Sequence, residues 1–274
     1  MHRANNHSSP NRIGLILSMM AIMLLALAAP GRTVAEEASA YPQRVVTLSP
    51  HGADLLSAAG GMDRLVGMAA HTKLPPGTPA PPVLGDANHL DRERLMMLAP
   101  QLAIAWTSGN RHQDLGWLEK QGVRIFHSDP QNLSEIATEI EALGALLGTR
   151  QPATKNAIRV RDRIAKLEQR FATRPPQPYF FQLWANPPMT IGGTSLISRA
   201  LALCGLTNAF EKIPRKAFEV NTEAVRLSRA EVELIPDDLP GAKPLSDARR
   251  IIRVPASDLY QPTPRMLDAV ESVC

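Results

Sequence analysis

The 274-residue sequence lacks the motifs that would assign it to common enzyme classes. It has no G-x-S-x-G nucleophile turn, no H-E-x-x-H zinc motif, no phosphate-binding glycine loop and no dinucleotide fingerprint. The segment GGTSL at 192–196 does not match the nucleophile turn. These absences leave a hydrolase without a supporting motif and favour a binding function.

Clustered charge of one sign is also absent. The formal net charge is +4, and residues 1–40 hold three Arg and two Glu, so the remaining chain carries +3. No Lys/Arg stripe interleaved with aromatic residues is present, so we expect no nucleic-acid partner and interpret the excess as an ordinary solvated surface.

The first 40 residues have the pattern of a signal peptide. Arg3 and Arg12 form a positive region, Ile13–Ala29 is almost entirely apolar, and small residues at 33–35 or 38–40 suit the peptidase. A membrane anchor is the alternative, but the apolar run is shorter than the roughly 20 residues that a bilayer requires. No cysteine follows it, which argues against a lipoprotein, and no later stretch is long enough to span. We therefore predict cleavage and a soluble, periplasmic mature chain.

Only two cysteines are present, Cys204 and Cys274. In an exported chain the default for such a pair is a disulfide, and closing so long a loop stabilises by about 4 kcal/mol on the chain-entropy model. A free catalytic thiol is the alternative, although no histidine is placed convincingly as its partner.

Apolar runs of strand length alternate with segments of helical periodicity, which indicates an α/β fold with parallel-type sheets. The long stretch Pro152–Thr173 lacks Gly and internal Pro and carries an apolar stripe, so it predicts one long helix. We therefore predict an N-terminal lobe over 41–150, a connecting backbone helix over 151–174 and a C-terminal lobe over 175–274. The segment Ser228–Ala248 stays unassigned because three prolines interrupt it.

Individual elements follow from the same patterns. The predicted strands are Arg44–Leu48, Leu65–Ala70, Gln101–Trp106, Val123–His127, Tyr179–Leu183 and Arg250–Val254. The predicted helices in the lobes are Asp54–Ala59, Glu93–Leu98 capped by Asp91, His112–Gln121, Leu133–Leu147, a helix ending at Cys204, Thr222–Leu227 and Met266–Val273.

Five segments carry a resemblance to a known family. They are RVVTLSPHGADLLSAAG at 44–60, ERLMMLAPQLAIAWTSGN at 93–110, FQLWANPPMTIGGTSL at 181–196, ALCGLTNAF at 202–210 and SDLYQPTPR at 257–265. In order and spacing the chain resembles the helical-backbone solute-binding proteins of ABC importers, and among them the periplasmic cobalamin-binding proteins. The resemblance covers most of residues 42–274.

The resemblance implies a receptor that is not an enzyme and needs no cofactor. It implies that a corrinoid binds in a cleft between the two lobes and is carried as ligand to an ABC importer permease at the inner membrane. Cys204 and Cys274 fall where the family has its disulfide. Glu93 and Glu223, one on each lobe, fall where the family's glutamates dock onto permease arginines, and paired charges of this kind steer and orient an encounter.

A corrinoid is a large, flat, partly apolar ring, so its receptor needs apolar and aromatic walls with a few hydrogen-bonding groups. Trp106 matches a family tryptophan of the cleft, whereas His71 stands where the family has tyrosine, Leu259 where it has tryptophan, and Trp184 where it has glycine. The candidate ligand-binding residues, all on loops at strand ends, are Ser49, Pro50, His51, His71, Trp106, Ser108, Gly109, Asn110, Trp184, Asp258, Leu259, Tyr260 and Arg265.

Other ligands stay open at this point. A zinc or manganese site would need ligands from both lobes, yet every histidine of the mature chain lies before residue 128, so Asp258 or a glutamate would have to complete it, and we assign no metal ligands. Haem is a closer alternative, with His71 as axial ligand. A ferric siderophore is the third, with Arg265 as the obvious cationic partner.

Overall fold

The computed structural model describes residues 41–86 and 88–274. The signal-peptide prediction for residues 1–40 lies outside these described residues. Within them, no helix combines the length and the hydrophobicity needed to cross a bilayer. The chain from Tyr41 to Cys274 forms two α/β lobes around a long connecting helix.

The first lobe is built on a four-stranded parallel sheet in the order β2-β1-β3-β4. Its strands are three to five residues long, and β1 and the first four residues of β3 are buried. Its elements are β1 (Val45–Thr47), α1 (Pro50–Ala58), β2 (Leu65–Gly67), α2 (Arg92–Met97), β3 (Leu102–Trp106), α3 (His112–Lys120), β4 (Arg124–Ser128) and α4 (Leu133–Leu147).

Helix α1 begins earlier than predicted. The segment Ser49-Pro50-His51-Gly52, expected as a turn before a helix at Asp54, is the helix start, because proline lacks the N–H that the first turn leaves unpaired. The cap of α2 is confirmed, since the Asp91 carboxylate accepts a hydrogen bond from the backbone N–H of Arg94 at 2.9 Å.

Helix α5 (Arg150–Phe171) connects the lobes, as predicted, and its 22 residues span about 33 Å. Its buried stripe of Ala153, Ala157, Val160 and Leu167 belongs to one hydrophobic core that also includes side chains of both sheets. A side chain at Gly144 of α4 would meet the Ala153 Cβ at 2.2 Å, so glycine is required for the close packing of α4 and α5.

The second lobe repeats the parallel arrangement with the strand order β11-β10-β5-β8. A small antiparallel sheet, β6-β7-β9, lies beside it and was not predicted, because its strands are only two to four residues long. The elements are β5 (Gln177–Phe181), β6 (Trp184–Ala185), β7 (Pro188–Ile191), α6 (Leu196–Ala202), β8 (Leu206–Asn208), β9 (Ala217–Glu219), α7 (Thr222–Leu227), β10 (Val232–Pro236), β11 (Arg250–Val254), α8 (Ala256–Leu259) and α9 (Pro264–Val273).

The unassigned segment 228–248 contains β10, one of the two interior strands of this four-stranded sheet. Its prolines do not prevent pairing, since Pro236 is the last residue of the strand. The fully buried Glu233 carboxylate accepts hydrogen bonds from the backbone N–H groups of Leu245 and Ser246, each at 2.9 Å, and from the Ser246 hydroxyl at 2.5 Å. One buried carboxylate therefore fixes the proline-rich loop to the sheet.

The disulfide prediction is confirmed. Cys204 and Cys274 are bonded across a sequence separation of 70, with their Cα atoms 5.2 Å apart. Arg174 donates hydrogen bonds to the carbonyl oxygens of Cys204 at 3.3 Å and of Cys274 at 3.0 Å. The end of α9 is thereby held to α6 and to the chain that enters the second lobe.

Replacing both cysteines with alanine should lower the free energy of unfolding by about 2 to 4 kcal/mol, because the unfolded chain regains the entropy of the closed loop. Urea unfolding followed by circular dichroism measures this difference. Dithiothreitol should destabilise the unsubstituted protein to the same extent and leave the Cys204→Ala, Cys274→Ala variant unchanged. Equal midpoints for the two proteins without reductant would contradict the assignment.

Candidate functional site

A cavity of about 340 Å³ lies between the lobes, where strands of both sheets end. The carboxyl ends of parallel strands are the usual position of ligand sites in α/β proteins. The first lobe supplies residues after β3 and β4, and the second supplies residues after β5 and β11. The lining side chains are Trp106, Ser108, Asp129, Pro130, Gln131, Leu183, Ile191, Thr194, Ser195, Leu196, Ile197, Lys216, Ala217, Tyr260, Pro262 and Met266.

Trp106 forms the aromatic wall of the first lobe. Its ring packs edge-on against the ring of His51, with 5.9 Å between centroids. The loop after β3 holds it: the Asn110 side chain accepts a hydrogen bond from the Trp106 backbone N–H at 2.7 Å and donates to the Leu48 carbonyl at 2.8 Å. A side chain at Gly109 would overlap the indole, with its Cβ 2.0 Å from Cε3. Gly109 and Asn110 therefore shape the wall.

His51 lies behind this wall and is buried. Its Nε2 is 3.2 Å from the Ser128 hydroxyl, which donates a hydrogen bond to the Glu139 carboxylate at 2.7 Å. Burial lowers the pKa of His51 to about 4, while the Asp129 charge acts in the opposite direction. The imidazole is therefore neutral near pH 7. Because Ser128 is also fully buried, this Ser-His pair cannot reach a substrate.

Polar contacts join the lobes on one side of the cavity. Asp129 accepts a hydrogen bond from Ser108 at 2.8 Å, and its carboxylate lies 3.8 Å from the Lys216 ammonium of the second lobe. Arg199 of α6 donates to the backbone carbonyl of Gln131. Asp129 and Lys216 line the cavity and were not predicted. The available signal for Asp129 was a charged residue two positions after the predicted strand Val123–His127.

A second group of polar contacts joins the lobes at the loop after β2. Lys73 donates to Ser257 at 2.8 Å and pairs with Asp258 at 3.2 Å, while Arg265 pairs with Asp54 at 2.9 Å. Burial raises the pKa of Asp54 to about 6, and the Arg265 charge offsets part of that rise. Asp258 and Arg265, predicted as ligand-binding, thus form interlobe ion pairs in this structure.

Tyr260 and its neighbour Leu259 have opposite surroundings. Tyr260 is 39% exposed and lines the cavity, with its ring edge-on to Phe181 at 6.4 Å between centroids. Burial, and secondarily the charges of Asp238 and Asp237, raise its pKa well above the usual range, so the phenol is neutral. Leu259 has no exposed surface and packs in the core. In this structure it is therefore not accessible for the predicted contact with a ligand.

Trp184 lines a second cavity of about 670 Å³ on the second lobe. The indole is 54% exposed, and its Nε1 donates a hydrogen bond to the Asn186 carbonyl at 3.1 Å. This cavity shares Leu183 and Tyr260 with the interlobe cavity, so the two adjoin.

The remaining predicted residues are dispersed. Ser49 is buried and Pro50 partly buried at the start of α1. His71 lies in an exposed turn with a left-handed backbone, at φ 61°, and is not among the residues that line the interlobe cavity. Glu93 and Glu223 are exposed in the first turns of α2 and α7. Across residues 41–86 and 88–274, no group of three or more His, Cys, Asp or Glu is arranged to hold a metal.

Comparison with known proteins shows that the chain is similar to one family of binding proteins. The Periplasmic binding protein family matches residues 45–233. A vitamin B12-binding protein of Photorhabdus laumondii is 31% identical over 241 residues, covering 86% of this chain and 88% of that relative. The crystal structure of the periplasmic vitamin B12 binding protein of Vibrio cholerae is 29% identical with a TM-score of 0.76, covering 85% of this chain and 95% of that one.

A solved haem-binding protein shares the architecture as well. The periplasmic haem binding protein of Vibrio cholerae has a TM-score of 0.73 at 17% identity, covering 84% of this chain and 97% of that one. At this identity the likeness concerns the fold alone.

The buried His51 gives a prediction on pH dependence. Its native pKa of about 4 lies below the ordinary 6.5, so the unfolded chain binds more protons below pH 6.5 and stability falls as the pH drops toward 4. Asp54, with its raised pKa of about 6, acts in the opposite direction between pH 6 and 4. Between pH 7 and pH 4.5, the free energy of unfolding of His51→Gln should therefore fall by about 2 kcal/mol less than that of the unsubstituted protein.

Urea unfolding at the two pH values measures this loss. His112→Gln, at the exposed start of α3, is the matched control and should behave like the unsubstituted protein. Parallel stability profiles for His51→Gln and the unsubstituted protein would show that His51 titrates alike in the native and unfolded states.

Proposed function

The chain belongs to the Periplasmic binding protein family, and we propose that it captures a corrinoid between its two lobes and delivers it to an ABC importer. We also propose that residues 1–40 are a signal peptide, removed on export to the periplasm. The proposal rests on one observation above others: an interlobe cavity with an aromatic wall from each lobe, Trp106 and Tyr260, in a chain about 30% identical to vitamin B12-binding proteins.

The walls suit a flat and partly apolar ring. Leu183, Ile191 and Met266 line the second lobe's side, and Ser108 and Thr194 offer hydroxyl groups at the same cavity. A macrocycle with amide substituents can bury its faces against the apolar side chains while its edge pairs with the hydroxyls. Affinity is expected to come from burying the ring between the lobes, and no covalent step is needed.

The charges of the cavities favour a neutral ligand over an anionic one. The charged side chains lining the two adjoining cavities are Asp129, Glu219, Asp238 and Lys216, and the lysine lies next to Asp129. Haem carries two propionates, and a ferric siderophore is commonly anionic. Carboxylates that line the cavities disfavour either ligand by like-charge repulsion. A corrinoid presents neutral amides, whose N–H groups can donate hydrogen bonds to these carboxylates.

Helix α5 limits how far the lobes can move during capture and release. It shares one core with both sheets, and Arg163 pairs with Asp268 at 2.7 Å and with Glu271 at 3.0 Å on the second lobe. We therefore expect a small closing movement around the ligand, not a wide hinge rotation. Docking on the permease would bias the lobes toward the open state and release the ligand.

The docking surface that we propose has one glutamate and one exposed apolar side chain on each lobe. Glu93 of α2 is followed one turn later by Met97, which is 73% exposed, and Glu223 of α7 is followed at the same spacing by Leu227, which is 74% exposed. In the described part of the chain neither glutamate has an ion-pair partner. Each pair offers a carboxylate for a permease arginine and an apolar contact beside it.

Ligand identity is tested by mixing the purified protein with cyanocobalamin, haemin or a ferric hydroxamate siderophore. Cyanocobalamin should comigrate with the protein on gel filtration at one per chain, and the other two should not. Trp106→Ala should weaken cyanocobalamin binding about tenfold or more, because an aromatic wall is lost. Trp117→Ala removes an indole that stacks on Arg92 outside the cavity and should bind like the unsubstituted protein. Haemin binding tighter than cyanocobalamin would overturn the corrinoid assignment.

Docking is tested with the importer reconstituted in vesicles. The Glu93→Ala, Glu223→Ala variant should keep its ligand affinity and lose most transport, because both anchoring charges are absent. Met97→Ala with Leu227→Ala should reduce transport by a smaller factor. The control Glu119→Ala, Glu168→Ala removes two exposed glutamates elsewhere and should transport normally. Loss of ligand affinity in the first variant would contradict a docking role.

A further inference from the structure

A third cavity, which we name the Arg159 cavity, lies where helix α1 of the first lobe, helix α5 and the start of helix α9 of the second lobe meet. Its volume is about 470 Å³, and it shares no lining residue with the interlobe cavity or with the cavity beside Trp184. Its lining residues are Asp54, Ser57, Ala58, Pro75, Pro76, Asn156, Arg159, Val160, Arg163, Pro264 and Arg265. The cavity is therefore distinct from the cleft proposed to hold the corrinoid.

The lining of the Arg159 cavity is cationic. Three arginines contribute to it, at positions 159, 163 and 265, against the single carboxylate of Asp54. The interlobe cavity and the cavity beside Trp184 together have the opposite balance, since three carboxylates and one lysine line them. Because charges of one sign around a cavity attract a ligand of the other sign, the Arg159 cavity is suited to an anion.

The three arginines differ in how far their charges are already neutralised. Arg163 pairs with two carboxylates of α9, at 2.7 and 3.0 Å, and Arg265 pairs with the buried Asp54 at 2.9 Å. Among the residues that the structure describes, Arg159 has no ion-pair partner. The charge of Arg159 is therefore free to bind a ligand, and Arg265 can contribute the N–H groups that Asp54 leaves unused.

Two hydrogen bonds orient the Arg159 guanidinium at the cavity. Its Nη1 donates to Asn156 Oδ1 at 3.2 Å, and Asn156 Nδ2 donates to the Ala58 carbonyl, next to the end of α1, at 2.8 Å. The bond to Asn156 uses one N–H of the guanidinium and leaves the others for a ligand. The arginine that lacks a carboxylate is thus positioned before an anion arrives, which reduces the ordering that binding requires.

The arrangement of the donors favours a phosphate group over a carboxylate. Arginine binds the oxygens of either group through paired N–H donors. Here the donors come from two elements, since Arg159 and Arg163 lie one turn apart on α5 and Arg265 belongs to α9. A tetrahedral phosphate has oxygens directed toward both elements, whereas the two oxygens of a carboxylate lie in one plane. The lining residues carry a formal charge of +2, from three arginines and one aspartate, which matches a dianion.

We propose that the Arg159 cavity binds a phosphate group, either as free inorganic phosphate or as the phosphate of a small monoester. The Ser57 side chain lines the same cavity and supplies a hydroxyl donor from α1. A bound phosphate contacts α1, α5 and α9 together, and so adds a bridge between the two lobes. This proposal does not depend on the corrinoid function.

Equilibrium dialysis of the full protein against radiolabelled inorganic phosphate, at constant ionic strength, gives the dissociation constant. The unsubstituted protein should bind one phosphate per chain. Arg159→Gln should weaken binding about tenfold or more, because a charge-assisted hydrogen bond is lost. Arg159→Lys should weaken it by a smaller factor, since the charge stays and only the planar pair of donors is removed.

Lys155→Gln is the matched control, because Lys155 is an exposed cation of the same helix that does not line the cavity. It should change the dissociation constant less than twofold. Equal losses in Lys155→Gln and Arg159→Gln would show that phosphate responds only to the overall charge and would overturn the site. Absence of saturable phosphate binding to the unsubstituted protein would overturn it as well.

Competition distinguishes the sources of the phosphate group. Displacement of the label by glycerol 3-phosphate at lower concentrations than by unlabelled phosphate would support the site and identify a monoester as the ligand. The reverse order would support the site and identify the free anion. Displacement by citrate at lower concentrations than by either compound would overturn the assignment to phosphate, because a carboxylate ligand would then fit the arginines better.

Discussion

The packing of helix α5 against both lobes is the constraint on which the rest of the structure depends. The helix contributes its apolar stripe to a core that includes Val45 of the first sheet and Leu234 of the second. Arg161 pairs with Glu141 of the first lobe at 2.7 Å, and Arg163 pairs with Asp268 of the second at the same distance. Separating the lobes would expose this shared core to water. Their relative position is therefore set by burial of apolar surface, and the ion pairs add orientation.

A cleft between lobes fixed in this way is partly formed before any ligand arrives. Strand ends from both sheets meet there, and Asp129 with Lys216 on one side and Asp258 with Lys73 on the other already connect the lobes. Less ordering is then needed when the ligand binds, so more of the contact energy appears as affinity.

Selectivity has a different physical origin from the architecture. Haem-binding proteins of the same fold show that this two-lobed arrangement accommodates more than one macrocycle. In this chain, carboxylates at 129, 219 and 238 line the cavities and the indole of Trp184 extends the apolar surface. These side chains belong to loops and short strands, which can change without disturbing the shared core.

The sequence alone determined the elements in which a local pattern decides the structure. Helices Leu133–Leu147 and Thr222–Leu227 and strand Arg250–Val254 have the predicted bounds, because their periodicity and caps act over a few residues. Tertiary structure decided the rest. Strand β10 was not predicted, because prolines at 236, 240 and 244 interrupt its segment of the sequence. The Glu233 carboxylate that fixes the following loop forms a hydrogen bond across 12 residues, which a local pattern does not reveal.

The division between Leu259 and Tyr260 was likewise invisible in the sequence, where both residues stood as candidate ligand contacts. Only the packing of α8 turns the first into the core and the second toward the cleft. Periodicity gives the faces of an element, but the identity of the surface that each face meets depends on contacts between residues far apart in the chain.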